Sequence, residues 1–185
     1  MNKFVLIPDS FKGTLSSAQV CGEMEAAIRR HIPGALVRSI PVADGGEGTC
    51  DAFLAALGGE KYPLTVTGPL HAPVEAFWAH LPNGKAVVEM AACAGLPLVG
   101  DEKDPEKTTT YGVGELLKAA LDAGERDIVL GLGGSATNDG GAGMACALGV
   151  RFYTAAGEVF VPTGGTLKDI ARIDASCRTQ HPRMI

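Results

Sequence analysis

Three stretches of this sequence set glycine beside carboxylates and hydroxyls, a pairing suited to holding an anion close to the backbone. The densest is Gly131-Leu132-Gly133-Gly134-Ser135-Ala136-Thr137-Asn138-Asp139-Gly140-Gly141-Ala142-Gly143. Glycine lets backbone N–H groups converge on phosphate oxygens, and a helix starting just beyond adds a favourable dipole. Ser135, Thr137 and Asn138 bring further donors, and Asp139 suits a magnesium ion or a substrate hydroxyl. No Gly-Lys-Ser/Thr closes the run, so it is not a Walker A loop. Gly131, Gly133 and Ala136 fit the G-x-G-x-x-G/A dinucleotide spacing, with Glu158 at about the distance of a ribose-binding acid. That reading, a dinucleotide-binding oxidoreductase domain, is weakened by the Asn-Asp-Gly-Gly insertion, which delays the helix, and by the turn glycine beside Glu158. The plain structural alternative is a tight connection with close helix–strand packing.

Asp9-Ser10-Phe11-Lys12 places an acid and a lysine three residues apart. Either Asp9 caps a turn and Lys12 is solvated, or Lys12 neutralises a phosphate or carboxylate while Asp9 serves as base or metal ligand. Asp44-Gly45-Gly46-Glu47-Gly48-Thr49 is compatible with a calcium-like turn or a helix cap, yet it interleaves more acid and glycine than a cap needs. Two weaker candidates remain. Thr108-Thr109-Thr110-Tyr111 precedes a helix, so capping explains most of it; Glu89 ends an apolar strand and points either into a cleft or to solvent.

The elements that must carry these loops follow from hydrophobic periodicity. Residues 3–7 and 36–42 read as strands. Between them a helix capped by Ser16 or Ser17 presents Val20, Met24, Ala27 and Ile28 on one face and ends at His31 and Pro33-Gly34. A second helix spans 49–57 and stops at Gly58-Gly59. Residues 62–66, 74–80 and 86–90 read as antiparallel strands, the last two joined by Pro82-Asn83-Gly84, and they begin a second, β-rich section. Helix 112–124, strand 127–132, a short helix at 142–148 and a hairpin around Ala156-Gly157 complete an α/β order. Each of the three loops then follows a strand, the place where open α/β sheets bind ligands.

Composition narrows the classes. Hydrophobic residues make up 46% and charged residues 20% of 185, an ordinary globular balance. A net charge of -5 predicts no nucleic-acid partner, and no apolar run approaches the roughly 20 residues of a membrane span. The apolar start is halted by Pro8-Asp9, which predicts a cytoplasmic chain. Five cysteines lack a C-x-x-C pair, so neither a disulfide framework nor a zinc site is expected, and any metal would be held by oxygen. Glycine, 25 of 185 residues, is about twice its usual share and is clustered in loops.

Taken in order, Pro8-Asp9-Ser10-Phe11-Lys12, Pro41-Val42-Ala43-Asp44-Gly45-Gly46-Glu47-Gly48-Thr49, Val66-Thr67-Gly68-Pro69-Leu70, Glu89-Met90-Ala91-Ala92 and Gly133-Gly134-Ser135-Ala136-Thr137-Asn138-Asp139-Gly140-Gly141 resemble the bacterial type of glycerate kinase, over the chain to about Ile173. The resemblance implies ATP-dependent phosphorylation of D-glycerate, usually to 2-phosphoglycerate, with magnesium. It implies a Rossmann-like parallel-sheet lobe (begun by residues 1–60) and a second β-rich α/β lobe (61–176), with the site in the cleft between them. Members of that family are longer, so the resemblance implies an N-terminal half with both lobes incomplete, and residues 177–185 depart from the pattern. It further implies Asp9, Lys12, Asp44 and Asp139 as catalytic, with Asp44 and Asp139 on the metal. Ser10, Gly45, Gly46 and Glu47 would bind substrate, and Gly133, Gly134, Ser135, Ala136, Thr137 and Asn138 the phosphates. D-glycerate and ATP are the expected partners, with neither nucleic acid nor membrane, and self-association is one way for a missing half to be supplied. The non-enzyme alternative is an anion- or nucleotide-binding remnant that does not turn over.

Overall fold

The computed structural model describes residues 2–179 and 183–184. Strand β1 (Lys3–Leu6), helix α1 (Ser17–His31) and strand β2 (Leu36–Ser39) form a parallel β-α-β unit. Ser16 is the cap: its hydroxyl accepts from Gln19 N–H, and Gln19 reciprocates on Ser16 N–H. Arg29, Arg30 and His31 occupy the last turn, where cations oppose the negative helix end. Helix α1 lies on one face of the pair, with Cys21 over Leu6 O and Glu25 accepting from the Ser39 hydroxyl at 2.9 Å.

The main sheet has the order β10-β6-β5-β4-β3. Strands β3 (Glu60–Thr67), β4 (Pro73–Leu81) and β5 (Lys85–Glu89) form the antiparallel run that their alternation predicts. After the short helix α3 (Ala91–Ala94) and a 3-10 turn (Leu96–Val99), helix α4 (Tyr111–Asp122) crosses over. It leads into β6 (Asp127–Gly131), parallel to β5. Helix α5 (Ala142–Ala147) follows, and then a small antiparallel sheet of β7 (Arg151–Tyr153), β8 (Val159–Phe160) and β9 (Arg172–Asp174). Strand β10 (Arg183–Met184) lies parallel to β6. Of the segment 177–185, residues 180–182 and 185 lie outside the described residues; Thr179 N–H donates to Leu148 O at 2.8 Å.

The period of two along the strands divides the core into two layers. Ala76, Trp78, Ala86 and Val88 face α4, which returns Val113, Leu116, Leu117, Ala120 and Leu121. Ala79, Leu81 and Val87 point the other way, onto Cys50, Phe53 and Leu54 of helix α2 (Thr49–Leu57). A division at residue 60 puts α2 with the β1–β2 unit. The structure places it on the main sheet instead, because its apolar stripe needs the opposite faces of β4 and β5. Cross-strand partners Tyr62 and Trp78 stack at 4.6 Å, a contact worth about 0.5–1.5 kcal/mol beyond burial.

Helix α4 is thus held by burial rather than by its surface ion pair Lys118–Asp122. Leu117→Ala is expected to cost about 2–5 kcal/mol in chemical denaturation. Lys118→Ala, one residue on, should cost less than about 0.5 kcal/mol.

Candidate active site

Loop residues 8–15, 40–48 and 131–141 leave the carboxyl ends of β1, β2 and β6 and meet along one edge. The first two are joined by a serine. Ser17, buried in the first turn of α1, donates to Pro8 O at 2.7 Å and accepts from Val42 N–H at 2.9 Å. Above that clip, Lys12 Nζ lies 3.8 Å from Asp44 Oδ2, with both groups open to solvent. An exposed pair of that kind adds at most about 1 kcal/mol, so its place is not explained by stability.

The second and third loops touch backbone to backbone. Gly133 N–H donates to Gly45 O at 2.8 Å. A Cβ at Gly131 would stand 2.5 Å from that oxygen, and one at Gly133 would stand 2.7 Å from Gly46 N. These glycines are required for close approach. Asp44 turns its own loop, accepting Gly46 N–H at 3.0 Å, and Thr49 closes it by donating to Gly46 O at 2.7 Å. On its far side the third loop is tied to residues 90–96: Met90 N–H to Gly131 O, Leu96 N–H to Gly134 O and Ala136 N–H to Ala94 O. The Ser135 hydroxyl accepts Thr137 N–H and lies 2.7 Å from the Thr137 hydroxyl. Among the described residues, the N–H groups of Gly134, Ser135 and Asn138 find no protein acceptor, whereas those of Gly133, Ala136 and Thr137 are already committed. Beside the free donors opens a cavity of about 200 Å³, walled by Leu96, Val99, Pro105 and Ala136 with Lys103, Ser135 and Thr137.

Of the residues read as a site, Lys12 thus pairs with Asp44, Gly45 and Gly46 lie against Gly131 and Gly133, and Asp9 Oδ1 accepts from Ser10 N–H at 2.7 Å. Asp139 does not join them. Read from the sequence as a catalytic group and metal ligand, it is 1% exposed with both oxygens occupied. Oδ2 accepts from Thr110 N–H (2.8 Å), Thr110 O–H (2.9 Å) and Gly143 N–H (3.1 Å), and Oδ1 from Gly141 N–H (3.0 Å). It pins the start of α5 to the start of α4. Thr110 is likewise no side-chain cap of α4; its hydroxyl accepts Met144 N–H at 2.9 Å and bridges the two helices.

Sequence reasoning missed Ser17, which carries no signal beyond its place after a better cap. It left Glu89 open between cleft and solvent, and neither holds. Glu89 is 3% exposed and stands under the N-terminus of α2, accepting Cys50 N–H and Gly48 N–H. Burial pushes its carboxyl above the ordinary carboxylate range, against the opposing pull of those two donors. Burial, with Glu89 adjacent, also pushes the Cys50 thiol up, so that sulfur packs as a hydrophobe and is no nucleophile. Among the described residues no cluster of three or more His, Cys, Asp or Glu side chains forms a metal site. No described helix is long and apolar enough to cross a membrane.

The fold is α/β, with loops after parallel strands that set an exposed lysine and aspartate beside a glycine-rich run. Residues 4–184 match the model of the glycerate kinase family, and the chain belongs to that family. It is 51% identical over 178 residues to a glycerate kinase of Halalkalibacterium halodurans, covering 95% of this chain and 47% of that relative. It is 48% identical over 176 residues to the glycerate 2-kinase of Escherichia coli K12, covering 94% and 46%. A crystal structure from Salmonella typhimurium LT2, provisionally assigned as glycerate kinase 2, superposes with a TM-score of 0.81 at 44% identity, over 97% of this chain and 49% of that one. The chain thus spans about half the length of the curated relatives it matches. The family match also extends past residue 173, where the motif resemblance stops.

Two consequences can be measured. A folded-state Glu89 value above the unfolded one means that its contribution is fully present below the unfolded pKa and is lost as pH rises through the folded value. The stability of the parent chain relative to Glu89→Gln should therefore fall as denaturation is repeated from about pH 4 to pH 7. Asp139→Asn turns an amide toward backbone donors and should cost about 2–3 kcal/mol, while Lys12→Ala should cost less than about 1 kcal/mol.

Proposed function

We propose that this chain carries the substrate-facing loops of an ATP-dependent kinase for D-glycerate, forming 2-phosphoglycerate. The observation that carries the reading is that the Lys12–Asp44 pair stands on loops packed through Gly45 and Gly133 against the loop that bears the free N–H groups of Gly134, Ser135 and Asn138. Membership of the glycerate kinase family, with relatives named glycerate kinase and glycerate 2-kinase, supports the choice of substrate.

Phosphoryl transfer asks a protein chiefly for positioning and charge neutralisation. The bond between the γ-phosphorus and the ADP oxygen breaks as one forms to the glycerate hydroxyl oxygen, whose proton passes to a base. The N–H groups of Gly134, Ser135 and Asn138 hold phosphate oxygens, and the 200 Å³ cavity beside them receives further parts of the nucleotide. Lys12 neutralises charge on a phosphate or on the glycerate carboxylate. Asp9, Ser10 and Glu47 offer the acceptors and donors for hydroxyls, with Asp9 the base nearest the lysine in sequence. Gly45 and Gly46 let the second loop lie against the third. Magnesium fits Asp44, an exposed carboxylate beside the loop, and would add charge neutralisation on the phosphates; it does not fit Asp139, whose oxygens are already filled. Asp139 acts as a positioning residue.

The test is a coupled ADP-release assay with ATP, magnesium and D-glycerate. A glycerate-dependent rate is expected, lowered by on the order of a hundredfold in Lys12→Ala with little change in melting temperature. ADP release indifferent to glycerate would overturn the substrate. Nucleotide binding without release from this chain, or from one extended to the length of its relatives, would mark a binding module instead.

A further inference from the structure

The chain from Leu96 to Thr108 arches beside the third loop and is tied to it at both ends. Leu96 N–H donates to Gly134 O at 2.9 Å, and the buried Thr108 hydroxyl donates to Ala136 O at 2.8 Å. Between these feet the backbone turns on itself, with Glu102 N–H on Val99 O and Asp104 N–H on Glu102 O. From outside, Gly165 N–H donates to Glu106 O at 2.9 Å, and a Cβ at Gly164 would stand 2.4 Å from Pro105 O. The arch and residues 135–137 of the third loop together wall the cavity of about 200 Å³.

The charges on the arch are unevenly spent. Residues 101–107 hold four carboxylates and two lysines. Lys107 is committed, its Nζ 2.9 Å from Asp104 Oδ2, while Asp104 Oδ1 accepts Glu106 N–H at 3.1 Å. Lys103 is exposed and makes no ion pair among the described residues. Of the side chains that line the cavity, it alone is charged. Residues 133–138 of the third loop carry no charge at all. Their N–H groups can accept phosphate oxygens into hydrogen bonds but cannot cancel the charge, and the arch's carboxylates would repel it. A lysine ammonium is a point charge suited to that task. Lys12 stands elsewhere, paired with Asp44 on the first two loops.

We propose that Lys103 is the cation that binds the phosphates of the nucleotide, which leaves Lys12 for the carboxylate of glycerate. The inference rests on the reading that the third loop holds phosphate. It divides the two substrates between two lysines on different loops.

The test is acetylation of the lysines by a soluble active ester, read residue by residue by mass spectrometry. It is run on this chain and on the chain extended to the length of its relatives. ATP with magnesium should slow Lys103 on the order of tenfold, whereas adenosine should not, and Lys118 on the far part of α4 serves as reference. D-glycerate should slow Lys12 alone. Calorimetry should show ATP bound on the order of tenfold more weakly by Lys103→Ala, with the affinity kept in Lys103→Arg. Amide hydrogen exchange over residues 133–138 reads the third loop independently. ATP that protects those amides yet leaves Lys103 labelling and the Lys103→Ala affinity unchanged would sink the lysine assignment and spare the phosphate loop. Equal protection of Lys103 by adenosine would give the cavity to the base, and protection of Lys12 by ATP in place of Lys103 would reverse the division; either overturns the proposal. Absence of ATP binding in both proteins would overturn it together with the reading beneath it.

Discussion

The separation of two backbones, at Gly45 and Gly133, sets how the loops after the parallel strands can stand against one another. Their hydrogen bond of 2.8 Å brings the loop after β2 against the loop after β6, and no side chain fits at Gly131 or Gly133. Through that contact the Asp44 loop, which carries the ion pair with Lys12, packs against Gly133 and Gly134. Ser17 carries the constraint to the first loop by bonding both Pro8 and Val42. The ties from 90–96 carry it back to β5. Part of the glycine excess thus serves close packing of one loop on another.

Two buried carboxylates do a different task. Glu89 and Asp139 each sit below a helix start and take the N–H donors that would otherwise be orphaned there. Asp139 meets four donors and is well satisfied. Glu89 meets two, and desolvation dominates the balance, which leaves its proton harder to remove than that of an ordinary glutamate. The α2 start is thus occupied by an internal carboxyl, whereas Gly134, Ser135 and Asn138 keep N–H groups without a protein acceptor among the described residues.

The architecture separates along the same lines. The main sheet is sandwiched between α4 and α2 and owes little to the β1–β2 unit beyond loop contacts. The β1–β2 unit has one covered face and one apolar, cation-rimmed face. The curated relatives it matches run to about twice this length.

How much of this was legible in the sequence depends on the range of the force involved. Period and capping are local, so the strands at 3–7, 62–66, 74–80 and 86–90, the Ser16 cap and the α4 stripe were all readable. Residue type also singled out the loops at 9–12, 44–49 and 131–143 as candidates, Asp139 among them. Tertiary structure decided what proximity decides. It placed α2 on the main sheet because an apolar stripe goes to whichever face is open. It buried Asp139 and Glu89 under helix starts, where backbone donors outnumber water. It spent the N–H groups of Gly133, Ala136 and Thr137 on neighbouring strands while leaving Gly134, Ser135 and Asn138 free. A sequence names the groups that can bear charge or donate a hydrogen bond. Which of them is left facing solvent depends on partners tens of residues away, and only the folded chain brings those within reach.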